Sequence, residues 1–70
     1  MTQIKNFLLN DQCYCIHDNI TLLELIQYFN YNDSLLVVEY NNLICNKTNW
    51  KEIQVEDRDK IEILTIVGGG

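Results

Sequence analysis

The sequence predicts a small α+β domain in which one amphipathic helix covers one face of a mixed sheet, in the order β-β-α-β-β-β with a glycine tail. Three observations carry this expectation. Two strand pairs are each separated by a two-residue turn of the Asn/Asp type, Asn10-Asp11 and Asn41-Asn42. Between the pairs lies a single helical stripe opened by a capping box, Thr21 with Glu24. After the last apolar run the chain holds only Gly68, Gly69 and Gly70.

The elements follow in order. Gln3 to Leu9 and Gln12 to Ile16 read as a hairpin whose inward face carries Phe7, Leu9, Tyr14 and Ile16, because side chains alternate along a strand. A helix starts at Leu22: Thr21 and Glu24 satisfy its first free N–H groups, and Ile20 and Leu25 stand at the positions of a hydrophobic staple. Leu22, Leu25, Ile26 and Phe29 form its apolar stripe, and the turn formers Asn30 to Ser34 end it. Leu35 to Tyr40, broken only by Glu39, reads as a more buried strand that returns through Leu43 to Cys45. Asn46 to Trp50 suggests a single helical or 3₁₀ turn with Trp50 folded over the core edge, and Ile53 to Val55 pairs briefly. Glu56, Asp57, Arg58 and Asp59 make a charged turn into Ile61 to Val67, the last strand. Residues 1–67 are therefore expected to be one body and 68–70 a flexible tail.

Composition removes several function classes. Seventy residues at 47% hydrophobic and 21% charged fit one self-folding domain and exclude a large enzyme core. Ten acidic against five basic residues, net −5, argue against a phosphate-tracking surface, so nucleic acid is set aside. No apolar run is long enough to span a membrane, and the start lacks the pattern of a signal peptide. Three cysteines without a C-x-x-C spacing do not make a disulfide framework. A reducing compartment follows: cytoplasm, or plastid stroma if the chain is organelle-encoded, as the absence of Ala and Pro and the 29 of 70 residues that are Phe, Tyr, Met, Ile, Asn or Lys suggest through AT-rich codons.

The tail is the candidate for chemistry. Glycine loses the most conformational entropy on ordering, so three in succession form a thin cord that can enter a narrow site where a side chain would collide. At its tip the carboxylate of Gly70 is ionised at neutral pH and inert to nucleophiles until it is activated, for instance as an acyl-adenylate made by another protein. The plainer reading is a frayed terminus.

The arrangement resembles the ubiquitin-like β-grasp fold, and in detail the thiamine-pathway sulfur carrier (ThiS) family. The resemblance rests on Asn10-Asp11, Thr21-x-x-Glu24-Leu25, Val37-Val38-Glu39 before Asn41-Asn42, Trp50, and Asp57-Arg58-Asp59-x-Ile61-Glu62-Ile63 followed by Val67-Gly68-Gly69-Gly70. It implies a protein co-substrate with no catalytic residues of its own. An E1-like adenylyltransferase would adenylate Gly70 with ATP and Mg²⁺. A sulfur donor, a cysteine desulfurase or equivalent, would lead to the thiocarboxylate, and thiazole synthase would take the sulfur. Gly69 and Gly70 match the family's terminal pair, and Gly68 is an extra glycine. The carrier subunit of molybdopterin synthesis, a ubiquitin-like modifier and a binding module with an idle tail stand as alternatives.

Two further groups are candidates. With Ile61, Ile63 and Val67 facing the helix, Leu64 and Ile66 face away, and Leu8 on the first strand is expected beside them. This apolar patch is either a docking face for the partner enzymes or ordinary central-strand residues. Cys13, Cys15 and His17 share one strand face without matching a known metal spacing, which favours ordinary exposed residues over a ligand set. Cys45 reads as a small core residue. The acidic run Glu56, Asp57 and Asp59 reads as a solvated turn, and neither a metal nor a resident cofactor is expected.

Overall fold

The computed structural model describes residues 4–29 and 36–65. Its elements are β1 (Lys5–Leu9), β2 (Gln12–Ile16), α1 (Leu22–Tyr28), β3 (Leu36–Tyr40), β4 (Leu43–Cys45), a 3₁₀ turn (Lys47–Asn49) and β5 (Lys60–Thr65). The strands form one sheet ordered β2-β1-β5-β3-β4. The expected starts at Gln3 and Leu35, and the expected end at Val67, lie outside the described residues.

Both hairpins turn on residues with positive φ, Asn10 (50°) and Asp11 (66°), then Asn41 (52°) and Asn42 (71°). Such a pair matches the right-handed twist of the flanking strands. The last strand does not close a hairpin. It inserts between the two, parallel to β1 through Leu8↔Lys60 and Leu9↔Ile61, and antiparallel to β3 from Tyr40↔Ile61 to Leu36↔Thr65. Ile61 and Ile63 thereby reach the centre of a core with Phe7, Leu9, Leu22, Leu25, Ile26, Val38, Trp50 and Val55. Each such side chain contributes about 1.5–3 kcal/mol by leaving water.

A seven-residue helix is too short to be stable alone, so α1 depends on its caps and on the sheet. Thr21 Oγ1 accepts from Glu24 N at 3.1 Å, and Glu24 Oε1 accepts from Thr21 N at 2.9 Å. Two further free N–H groups of the first turn donate to the loop across from it: Leu22 N to Ile53 O at 2.8 Å and Leu23 N to Trp50 O at 3.1 Å. The brief pairing expected of Ile53 to Val55 is a bridge between Thr21 and Gln54. Trp50 is buried over the core edge and its indole N–H donates to Cys45 O at 3.2 Å.

The charged turn departs from the solvated reading at Asp59, which is buried. Its Oδ2 accepts from Tyr40 Oη at 2.6 Å and from Glu56 N at 2.7 Å, and its Oδ1 accepts from Asn41 Nδ2 at 3.1 Å. A buried carboxylate needs such partners. Burial, then the hydrogen bond to Asp59 and the charge of that carboxylate, push the Tyr40 hydroxyl above the usual phenol pKa. A group whose folded pKa is raised contributes its full stability below its unfolded value, near pH 10, and loses it as pH climbs toward the folded value. Urea unfolding between about pH 8 and about pH 12 should therefore show stability falling more steeply in the native chain than in Tyr40→Phe. At neutral pH that variant should cost about 1.5–3 kcal/mol, the usual worth of a hydrogen bond to a charged group. Parallel alkaline slopes would contradict this.

Candidate functional site

The end of β5 is held on both sides before the chain reaches the glycines. β1 finishes at Leu9, so the backbone of Ile63 has no strand beside it on that flank. The Asn10 side chain takes the missing place: Oδ1 accepts from Ile63 N at 2.8 Å and Nδ2 donates to Ile63 O at 3.3 Å. An amide side chain thus extends the ladder by one residue. Asn41 does the same at the other end, its Oδ1 accepting from Lys60 N at 2.8 Å. On the opposite flank β3 pairs with β5 as far as Thr65. Ile66, Gly68, Gly69 and Gly70 lie outside the described residues.

The face of the sheet away from α1 is open, and register fixes its composition. Leu64 stands beside Val37, Glu62 beside Glu39, and Glu39 beside Ile44. Leu64 is 51% exposed and Ile44 77% exposed. Leu8 does not adjoin Leu64 as expected. It pairs with Lys60, four residues earlier on β5 and about 13 Å away at 3.3 Å per residue. The cause is the parallel crossover, whose stagger periodicity does not reveal. The open face is thus apolar at Leu64, Val37 and Ile44, acidic at Glu39 and Glu62, and apolar again at the distant Leu8. Lys60 Nζ lies 3.9 Å from Glu62 Oε1. Sequence reasoning missed Val37, Glu39, Ile44 and Glu62 as co-facial with Leu64; their alternation was visible, their alignment was not.

Cys13, Cys15 and His17 are exposed. Among the described residues no group of three or more His, Cys, Asp or Glu could hold a metal ion. Cys45 packs half-buried against the core, where burial pushes its thiol pKa up. Among the described residues no helix is long and apolar enough to cross a membrane.

The parallel central pair, the helix on one face and the last strand inserted mid-sheet define a ubiquitin-like β-grasp protein. A crystal structure of the thiamine biosynthesis protein ThiS from Geobacter metallireducens superimposes with a TM-score of 0.79 at 22% identity, over 93% of this chain and 99% of that one. The ThiS family pattern matches residues 7–70. The sulfur carrier protein ThiS of Bacillus subtilis (strain 168) is 36% identical over 53 residues, 76% of this chain and 80% of that protein. The uncharacterized protein ycf40 of Trieres chinensis is 55% identical over the full length of both. The chain belongs to the ThiS family, the sulfur carriers of thiamine biosynthesis.

Proposed function

We propose that this chain carries sulfur as a thiocarboxylate on Gly70 and delivers it for formation of the thiazole ring of thiamine. The family match, which runs to Gly70 and includes the glycine tail, is the observation that carries the reading. An E1-like adenylyltransferase, using ATP and Mg²⁺, joins the Gly70 carboxylate to AMP and releases pyrophosphate. A sulfide equivalent attacks the acyl carbon, AMP leaves with the electron pair of its bond, and the C-terminal thiocarboxylate remains. Thiazole synthase then takes the sulfur. The chain supplies no acid, base or nucleophile to these steps; it supplies a rigid body and a side-chain-free reach.

Docking is assigned to the open face. Leu64 with Val37 beside it gives an apolar centre, Ile44 and Leu8 give outer contacts on either side, Ile66 is the further residue expected to contribute, and Glu39 and Glu62 favour a partner surface bearing basic side chains. The ycf40 relatives come from plastid genomes, which supports an organelle-encoded carrier working in the plastid stroma.

Intact-mass spectrometry of the full chain incubated with an E1-like enzyme of this pathway, ATP, Mg²⁺ and sulfide tests the reading. A gain equal to exchanging one oxygen for sulfur, mapped to Gly70, is expected. No gain with an enzyme competent on another carrier overturns it, and isopeptide conjugates in place of a thiocarboxylate would make the chain a modifier.

A further inference from the structure

One edge of the sheet carries none of the devices that keep strand edges apart. β2 reads Gln12-Cys13-Tyr14-Cys15-Ile16, with no charge, glycine or proline. The direction of its backbone groups follows from β1. Leu8 N and Asn10 N donate to Asp59 O and Ile61 O, so even-numbered residues of β1 bond toward β5 and odd-numbered ones toward β2. Phe7 therefore bonds with Tyr14, while Asn6↔Cys15 and Leu8↔Cys13 are the pairs without mutual bonds. The N–H and C=O groups of Cys13 and Cys15 consequently point out of the sheet. β4, the other edge, has only three residues and presents a single outward residue, Ile44.

We propose that the β2 edge pairs antiparallel with β2 of a second copy of this chain, about a two-fold axis at Tyr14. The local sequence is self-complementary in that register. Cys13 and Cys15 flank Tyr14 symmetrically, so each Cys13 meets the other copy's Cys15 and exchanges both N–H···O bonds with it. Gln12 meets Ile16 at each end of the paired segment. Beside this edge, on the helix side, lies an open groove of about 710 Å³ lined by Tyr14, Ile16, Tyr28 and Phe29. Tyr28 at its rim is 79% exposed. Strand addition brings the second copy's Tyr14 and Ile16 to the same side of the sheet as that groove. β1 separates this edge from β5, so the dimer leaves the C-terminal strand accessible.

Sedimentation of the full chain in reducing buffer tests the proposal. The native chain is expected to form dimers, and Cys15→Pro, which removes an N–H that bonds nothing within the copy, should lower the dimer fraction at least tenfold with unchanged circular dichroism. Replacing both Cys13 and Cys15 by Lys sets like charges across the axis and should do the same if the proline variant misfolds. Register is read from two single-cysteine chains, Cys13→Ser with Cys45→Ser and Cys15→Ser with Cys45→Ser, oxidised by diamide, which takes up the two thiol protons and two electrons per disulfide formed. Paired Cα atoms about 5.5 Å apart are within disulfide reach, so the mixture should cross-link and each chain alone should not. A monomeric native chain, a dimer that persists in both folded edge variants, or equal cross-linking of each chain alone would overturn the proposal.

Discussion

Deleting Gly69 and Gly70 should leave the folded body intact and abolish thiocarboxylate formation. Among the described residues the core runs from Phe7 to Ile63, within the body that precedes the glycines, so thermal unfolding should be unchanged. The truncated chain still ends in a carboxylate, now on Gly68, but two residues at about 3.5 Å each leave it about 7 Å short. Acyl transfer needs reacting atoms about 3–3.5 Å apart, and a misplacement of about 1 Å can cost about a hundredfold. No sulfur exchange should therefore be detected by intact mass. Gly70→Ala restores the length with one methyl group and should retain part of the rate. Thiocarboxylation of the truncated chain at the native rate would remove the tail from the mechanism and favour a binding module.

Leu64→Asp should separate folding from partner recognition. Leu64 is 51% exposed and sits on a central strand beside Val37, so the substitution costs the fold about 1 kcal/mol, mostly in strand propensity. At a docking interface the same change buries a charge without a counter-ion, next to Glu62 and Glu39, which already make that face acidic. A hot-spot residue at the centre of an interface costs about 2 kcal/mol or more on truncation, and a buried unpaired charge costs more. Adenylation kcat/KM should fall by about a hundredfold or more while the unfolding midpoint drops by only about 4–8 °C. Equal kcat/KM for native and variant chains would return Leu64 to an ordinary surface role. Leu8→Asp, remote from Leu64 by the β1–β5 register, is expected to have the weaker effect.

Local chemistry made much of this molecule legible in advance. Asn10-Asp11 and Asn41-Asn42 adopt the positive φ values that a tight hairpin requires, and few other residue pairs tolerate that conformation in succession. Thr21 and Glu24 form both bonds of the capping box. Phe7 and Leu9, Leu22, Leu25 and Ile26, and Ile61 and Ile63 are buried where the strand period of two and the helical spacing of i, i+3 and i+4 place them. In each case the determining interactions lie within a few residues along the chain.

Asp59 shows where that legibility stops. Its neighbours Glu56, Asp57 and Arg58 mark a solvated turn, and only the arrival of Tyr40 and Asn41 from the β3–β4 hairpin makes its burial affordable. Asn10 likewise reads as a turn residue, yet its amide also completes the ladder of β5, 53 positions away. The split between Leu64 and Leu8, the gathering of Val37, Glu39, Ile44 and Glu62 on one face, and the outward backbone of Cys13 and Cys15 share this origin. Sequence by itself determined which segments are strands, where they turn and which side of each is apolar, because those depend on backbone sterics and short-range periodicity. Tertiary structure alone decided which residues become neighbours across strands, because register is set by the parallel insertion of β5 between two hairpins and by the side-chain amides that hold its ends.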